Sequence, residues 1–217
     1  MVRRGDGADG SPVGVPESAE AVALLAGVSR ETAHRFERYA ALLIDWQQRM
    51  NLVGRSTMPD LWNRHFWDSA QLFELLPEGT RTLVDLGSGA GFPGLVLAMM
   101  GVPDVHLIEA DSRKAAFLRT VSRETGTGVT IHGARIEAVT PFVADVVTAR
   151  ALAPLPRLID QARPFLGPRS LSLFPKGQNV ESELTEALKT SMMSIDRVPS
   201  RSDPRGTILC LREIRRV

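Results

Sequence analysis

The chain has one cysteine and four scattered histidines in 217 residues, so neither an internal disulfide nor a metal cluster is expected. The single thiol, Cys210, sits in an apolar stretch and reads as a small core residue. No apolar run approaches the ~20 residues of a membrane-spanning helix. The opening MVRRGDGADGSPVG lacks the apolar segment of a signal peptide, which makes a cytoplasmic protein without membrane contact the expectation. An excess of charge of one sign is missing too. A formal net charge of +1 argues against a promiscuous nucleic-acid binder.

What is present is the composition of an ordinary globular chain, 43% hydrophobic and 24% charged, long enough for one good core and a small appendage. The near-zero sum conceals a partition. Residues 1–145 carry 14 Lys/Arg against 18 Asp/Glu, whereas 146–180 and 197–217 are each +4. Two basic segments make a local phosphate-binding face possible, although a solvated surface of arginines explains such runs equally well.

Residues 1–17 are rich in Gly, Ser and Pro and read as a loose tail. Residues 18–79 form a helical extension. Ser29 and Thr32 mark a helix start, and apolar residues recur at helical spacing through Gln48 and again over Pro59–Leu76. From residue 80 to 217 short strands alternate with helices, and the last two strands are joined by a hairpin-like SRSDPRG. That alternation predicts an α/β fold with a doubly wound, mostly parallel sheet covered on both faces.

The most informative stretch is Asp85-Leu-Gly-Ser-Gly-Ala-Gly-Phe-Pro-Gly94, a glycine-rich turn directly after a strand. Gly87, Gly89 and Gly91, with Ser88 between them, permit a tight turn and close approach of a ligand to backbone. Glu109 ends the next strand, 18 residues past Gly91, where a doubly wound sheet brings it to the same crevice and to a ribose diol. A dinucleotide pyrophosphate sits badly beside the Asp85 carboxylate, and no GxxxxGK[ST] lysine follows. A ligand with a cationic amino group and a sulfonium suits that carboxylate, which points to S-adenosylmethionine, with Phe92 as an apolar wall.

Several spaced segments together carry a resemblance: NLVG (51–54), RHFWDS (64–69), DLGSGAGFPG (85–94), IEADSRKAAFLRTV (108–121), GARIEAV (133–139), TARALAPL (148–155) and FPKGQ (174–178). In this set the chain resembles the RsmG family, formerly glucose-inhibited division protein B, of 16S rRNA guanine-N7 methyltransferases, from about residue 36 to 212. The resemblance implies a class I methyltransferase, Rossmann-like, with seven strands. It also implies cofactor contacts at Gly87, Phe92, Ile136, Glu137 and Arg150, with Glu109 on the ribose. Its partner is then 16S rRNA or the small ribosomal subunit, and no stable protein partner is evident.

Guanine N7 carries a lone pair and no proton, so methyl transfer to it needs no general base. Arg150 is expected to position O6, a phosphate or the cofactor carboxylate without covering N7, its ordinary alternative being a structural pairing with Asp145 or Asp85. Arg64, His65 and Asp68 occupy successive helical turns and are expected to face the crevice, Asp68 orienting Arg64 and the group forming a wall against the RNA or the cofactor; a buried, satisfied histidine is the plainer reading of His65. Lys176 and Arg197 are the candidates for RNA phosphates. Two other readings stay open: a nicotinamide-dependent oxidoreductase using the same glycines, and a non-catalytic RNA-binding assembly factor on the same fold.

Overall fold

A computed structural model describes residues 14–217; most of the expected loose tail therefore lies outside the described residues. Two helices come first, α1 (Ala19–Leu25) and α2 (Arg30–Gln47), each started by a serine whose hydroxyl accepts a backbone N–H three residues on: Ser18 from Ala21 and Ser29 from Thr32. The helical passage expected over Pro59–Leu76 is real but not one α-helix. It runs as a 3-10 segment (Arg55–Asp60), a π-helix (Trp62–Trp67), a single turn α3 (Asp68–Ala70) and another 3-10 segment (Gln71–Leu75). Apolar spacing registers a buried face but does not register the widening of the backbone that puts Trp62–Trp67 into i→i+5 bonding.

The remainder is the alternating unit: β1 (Thr82–Leu86), α4 (Gly94–Met99), β2 (Asp104–Ile108), α5 (Ser112–Glu124), β3 (Thr130–His132), β4 (Ala144–Thr148), α6 (Leu155–Ala162), β5 (Leu166–Lys176), α7 (Val180–Leu188), β6 (Ser191–Pro199) and β7 (Thr207–Arg216). These strands form one seven-stranded sheet in the order β3-β2-β1-β4-β5-β7-β6, parallel except for β7, which runs antiparallel to both neighbours. The order reverses beside β1, so the crevice opens between the carboxyl ends of β1 and β4.

Strand residues alternate between two cores. Leu83, Val105, Leu107, Val146, Leu171 and Cys210 face the N-terminal helices, α4 and α5, while Val84, Leu86, Val147, Leu209 and Leu211 face α6 and α7. The helical extension is thus packed into the sheet's own core, with Phe36, Tyr39, Leu43 and Phe66 fully buried there. No described helix is long and apolar enough to cross a membrane.

Candidate active site

At the carboxyl ends of β1 and β4 lies a cavity of about 710 Å3, within the usual range for small-ligand sites. Its floor is the turn after β1, contributed by Gly87, Ser88, Gly89, Ala90 and Phe92; opposite are Arg150–Pro154 from the loop after β4, Arg64, His65 and Asp68 from the N-terminal portion, and Lys176 at the end of β5.

The turn is held from below. Asp85 is completely buried, and its carboxylate accepts from the Thr148 hydroxyl (2.9 Å) and the Gly94 N–H (3.3 Å). Burial pushes its pKa up to about 6, against the pull of Thr148, Ser88, the Gly94 amide and Arg150. The expected contact between this carboxylate and a bound amino group is therefore not direct, because the side chain points under the turn and does not line the cavity. Gly94 permits this, since a Cβ there would lie 2.9 Å from the Asp85 Cβ. Gly87 adopts a left-handed φ of +61°, and a Cβ on it would fall 2.4 Å from the Leu152 side chain, which lies over the turn. Gly91 faces inward, toward Leu95, Tyr39 and Leu118, so it shapes the turn without lining the cavity. The fully buried Tyr39 donates its hydroxyl to the Ala90 carbonyl, and its ring stacks on Phe92 at 5.0 Å.

Glu109, one residue past β2, accepts from the Gly89 N–H (2.7 Å) and the Asp111 N–H (2.7 Å), which sets its buried carboxylate beside the turn, behind the residues that line the cavity. Ile136 is buried in the second core, and the exposed Glu137 accepts from Gln161 (3.3 Å); neither lines the cavity.

Arg150 is the centre of the opposite wall. Nη1 donates to the Arg64 carbonyl (2.8 Å) and to Asp68 (3.2 Å), Nη2 donates to His65 Nδ1 (2.7 Å), and the guanidinium lies 5.1 Å from the Phe92 ring centroid. Asp68 thus orients Arg150 and not Arg64, as the sequence had suggested, and Arg150 pairs with neither Asp145 nor Asp85. Arg64 is instead paired with Asp203 (2.8 Å), on the connection between β6 and β7. Because Nδ1 of His65 accepts, its ring proton is on Nε2, 2.7 Å from the Thr57 hydroxyl, which in turn donates to the Gly54 carbonyl (2.7 Å). Burial, then the Arg150 and Arg64 charges, push the His65 pKa down to about 3.

Of the cations expected to meet RNA, Lys176 is largely enclosed: Nζ donates to Glu183 (2.8 Å) and to the Ala153 carbonyl (3.1 Å). Its ammonium braces the loop after β4, so a free phosphate contact does not match its surroundings. Arg197 is exposed, pairs with Glu181 (2.5 Å) and does not line the cavity. Lys114 of α5 does line it, with no carboxylate in ion-pair range among the described residues. Sequence reasoning passed over Lys114, Thr57, Asp203 and Glu183. Asp203 stands 139 positions from Arg64, a separation no local pattern spans.

Comparison with known proteins bears on the family and the fold. The family model described as GidB, rRNA small subunit methyltransferase G, matches residues 32–203. A ribosomal RNA small subunit methyltransferase G from Paramagnetospirillum magneticum is 60% identical over 190 residues, 88% of this chain and 93% of that protein. Among solved structures, a ribosomal protein L11 methylase from Lactobacillus delbrueckii subsp. bulgaricus superposes with a TM-score of 0.57 at 16% identity, covering 70% of this chain and 78% of that one. A TehB-like SAM-dependent methyltransferase from Corynebacterium glutamicum gives 0.56 at 13% identity, covering 80% and 98%.

Proposed function

The chain belongs to the rRNA small subunit methyltransferase G family and is a class I, S-adenosylmethionine-dependent methyltransferase; we propose that its acceptor is N7 of a guanine in 16S rRNA. The observation that carries this choice of atom is the state of the cavity's acids and its histidine. Asp68 is bound to Arg150, Asp203 to Arg64 and Glu183 to Lys176, while both nitrogens of His65 are engaged. Among the described residues, every carboxylate that lines the cavity carries a cationic partner, which suits a nucleophile that has a lone pair and nothing to deprotonate.

The residues fit the cofactor. The turn at Gly87–Gly89 offers bare backbone, the Glu109 carboxylate beside Gly89 suits a ribose diol, and Phe92 with Leu52 and Val53 gives an apolar wall. When bound, S-adenosylmethionine supplies a methyl group activated by its sulfonium. The protein's task is alignment and exclusion of water. Asp85 acts through the turn by fixing the Gly94 amide. Arg150 presents the N–H groups it does not spend on the protein to the cofactor carboxylate or to guanine O6. Lys114 is the better candidate for an RNA phosphate, with Lys176 holding the loop that carries Arg150. Ile136 and Glu137 are assigned to the adenine side by resemblance alone. A cytoplasmic location follows from the substrate. The nicotinamide and non-catalytic readings gain no support from the family match.

Purified protein incubated with S-adenosylmethionine and either naked 16S rRNA or small subunits from cells lacking the gene tests the reading. Borohydride reduction followed by aniline cleavage reports 7-methylguanine at single-nucleotide resolution. One new cleavage site, dependent on the cofactor, is expected; methylation appearing only on another atom overturns it.

A further inference from the structure

We propose that His65 is a positioning residue: a neutral imidazole held in the Nε2–H tautomer, whose Nδ1 lone pair fixes the plane of the Arg150 guanidinium over Phe92. The inference rests on the reading that Arg150 serves the cavity, and it adds the device that aims Arg150.

A guanidinium has five N–H donors. Three are spent on one short stretch of the N-terminal portion, two on Asp68 and the Arg64 carbonyl and one on His65 Nδ1. That leaves Nε–H and one Nη2–H for a bound ligand. Asp68 and the Arg64 carbonyl both engage Nη1, which anchors the group at one terminal nitrogen. The bond to His65 anchors the other, Nη2, so the guanidinium is held at both ends of its fork. Held at both ends, the guanidinium carbon lies over the Phe92 ring of the cofactor turn, 5.1 Å from its centroid.

The imidazole performs this only in one form. With a proton on Nδ1 it would turn an N–H toward the guanidinium, and as a cation it would repel it. The proton is held on Nε2 by a directional chain, in which Nε2–H donates to Thr57 Oγ1 and the Thr57 hydroxyl donates to the Gly54 carbonyl. That carbonyl cannot donate, so the chain reads in one direction only, from Arg150 through His65 and Thr57 to Gly54. The groups facing His65 favour the same form: Arg150 from the β4 loop and Arg64 on its own segment oppose a positive charge, and the Phe92 ring, with centroids 5.1 Å apart, offers no proton acceptor in its place. His65 is only 6% exposed, so its ring nitrogens meet these protein partners.

The experiment combines a direct observation with a pair of substitutions. In the full chain labelled with 15N-histidine, long-range 1H–15N correlation at pH 7 is expected to show His65 neutral and protonated on Nε2. An Nδ1–H tautomer or an imidazolium overturns the proposal without any assay. His65→Asn keeps an acceptor at the place of Nδ1 but loses the link to Thr57, whereas His65→Gln keeps the reach to Thr57 but loses that acceptor. Methylation of the small subunit is expected to stay within about threefold of wild type for His65→Asn and to fall at least tenfold for His65→Gln, with the loss in kcat or in cofactor KM and with equal melting temperatures. Equal activity of the two variants, or losses that simply follow their stabilities, overturns it. Arg150→Ala is the separate control. If it methylates normally, the reading of the cavity fails; if it is inactive while both His65 variants are normal, only the present inference does.

Discussion

Asp85 and His65 are buried on opposite sides of the cofactor turn, and their protonation pulls stability in opposite directions with pH. The Asp85 carboxyl titrates near 6 when folded against about 4 when unfolded, so the folded chain holds its proton more tightly. Its contribution is therefore fully present below about pH 4 and is lost as pH rises through about 6, a swing of ~3 kcal/mol. His65 behaves in the reverse sense: its folded pKa of about 3 lies below the unfolded 6.5, so its contribution is complete above about 6.5 and is lost as pH falls toward 3. Between about pH 4 and 6 the two slopes oppose each other, and stability is expected to change little there. Asp85→Asn removes one of them. The amide can still accept from Gly94 and donate to Thr148, so the turn keeps its support. Urea unfolding across pH should show the variant at least as stable as wild type above pH 7, with a steeper rise between pH 4 and 6.5. An unchanged pH slope would mean that the buried carboxyl is not held as described.

At the scale of elements, the loop after β4 joins the two walls of the cavity. Arg150 reaches the N-terminal segment, Ala151 adopts a left-handed φ of +53°, and Leu152 lies over Gly87. Glu183 of α7 closes the loop's far end by accepting from the Leu155 N–H (2.8 Å) and from Lys176 (2.8 Å). Lys176→Met is accordingly expected to slow methyl transfer while leaving the salt dependence of RNA binding as it was. Lys114→Ala should instead reduce the slope of log K against log salt by about one. Filter binding across a salt series separates them, and a reduced slope for Lys176→Met would return that lysine to the RNA face. The strands and the glycine turn were legible because each is a short apolar run ended by a turn, a purely local signal. Boundaries were less so: β5 starts at Leu166 and includes Gly167 and Pro168, residue types that disfavour a strand, because pairing of Leu166 with Ala144 of β4 draws them into the sheet. The site residues divide in the same way. Gly87 and Phe92 could be found from local pattern, while the partners of Arg150, Arg64 and Lys176 depend on tertiary placement that spacing does not encode.

For the whole molecule, a division at residue 80 follows the change in sequence texture but not the packing. Phe36, Tyr39, Leu43, Phe66, Trp67 and Leu72, all but fully buried, lie on the same core as Leu83, Val105 and Leu107 of the sheet. At about 2 kcal/mol for each large side chain withdrawn from water, six of them amount to ~12 kcal/mol. That is comparable with the ~5–15 kcal/mol that separates a folded domain from its unfolded state. The sheet's other face, covered by α6 and α7, cannot offset such a loss. A fragment of residues 80–217 is therefore expected to lack a cooperative thermal transition and to bind a hydrophobic dye. The same fragment would also lose Tyr39 from the Ala90 carbonyl and Asp68 and His65 from Arg150, so cofactor binding should vanish with the fold. Differential scanning calorimetry decides the first point, and a sharp, reversible endotherm would show that the N-terminal helices are an addition to a self-sufficient domain. If it were sharp while cofactor affinity was still lost, the helices would be needed for the site alone. The shared core argues for the stronger dependence, in which the wall that aims Arg150 and the layer that covers the sheet are the same helices.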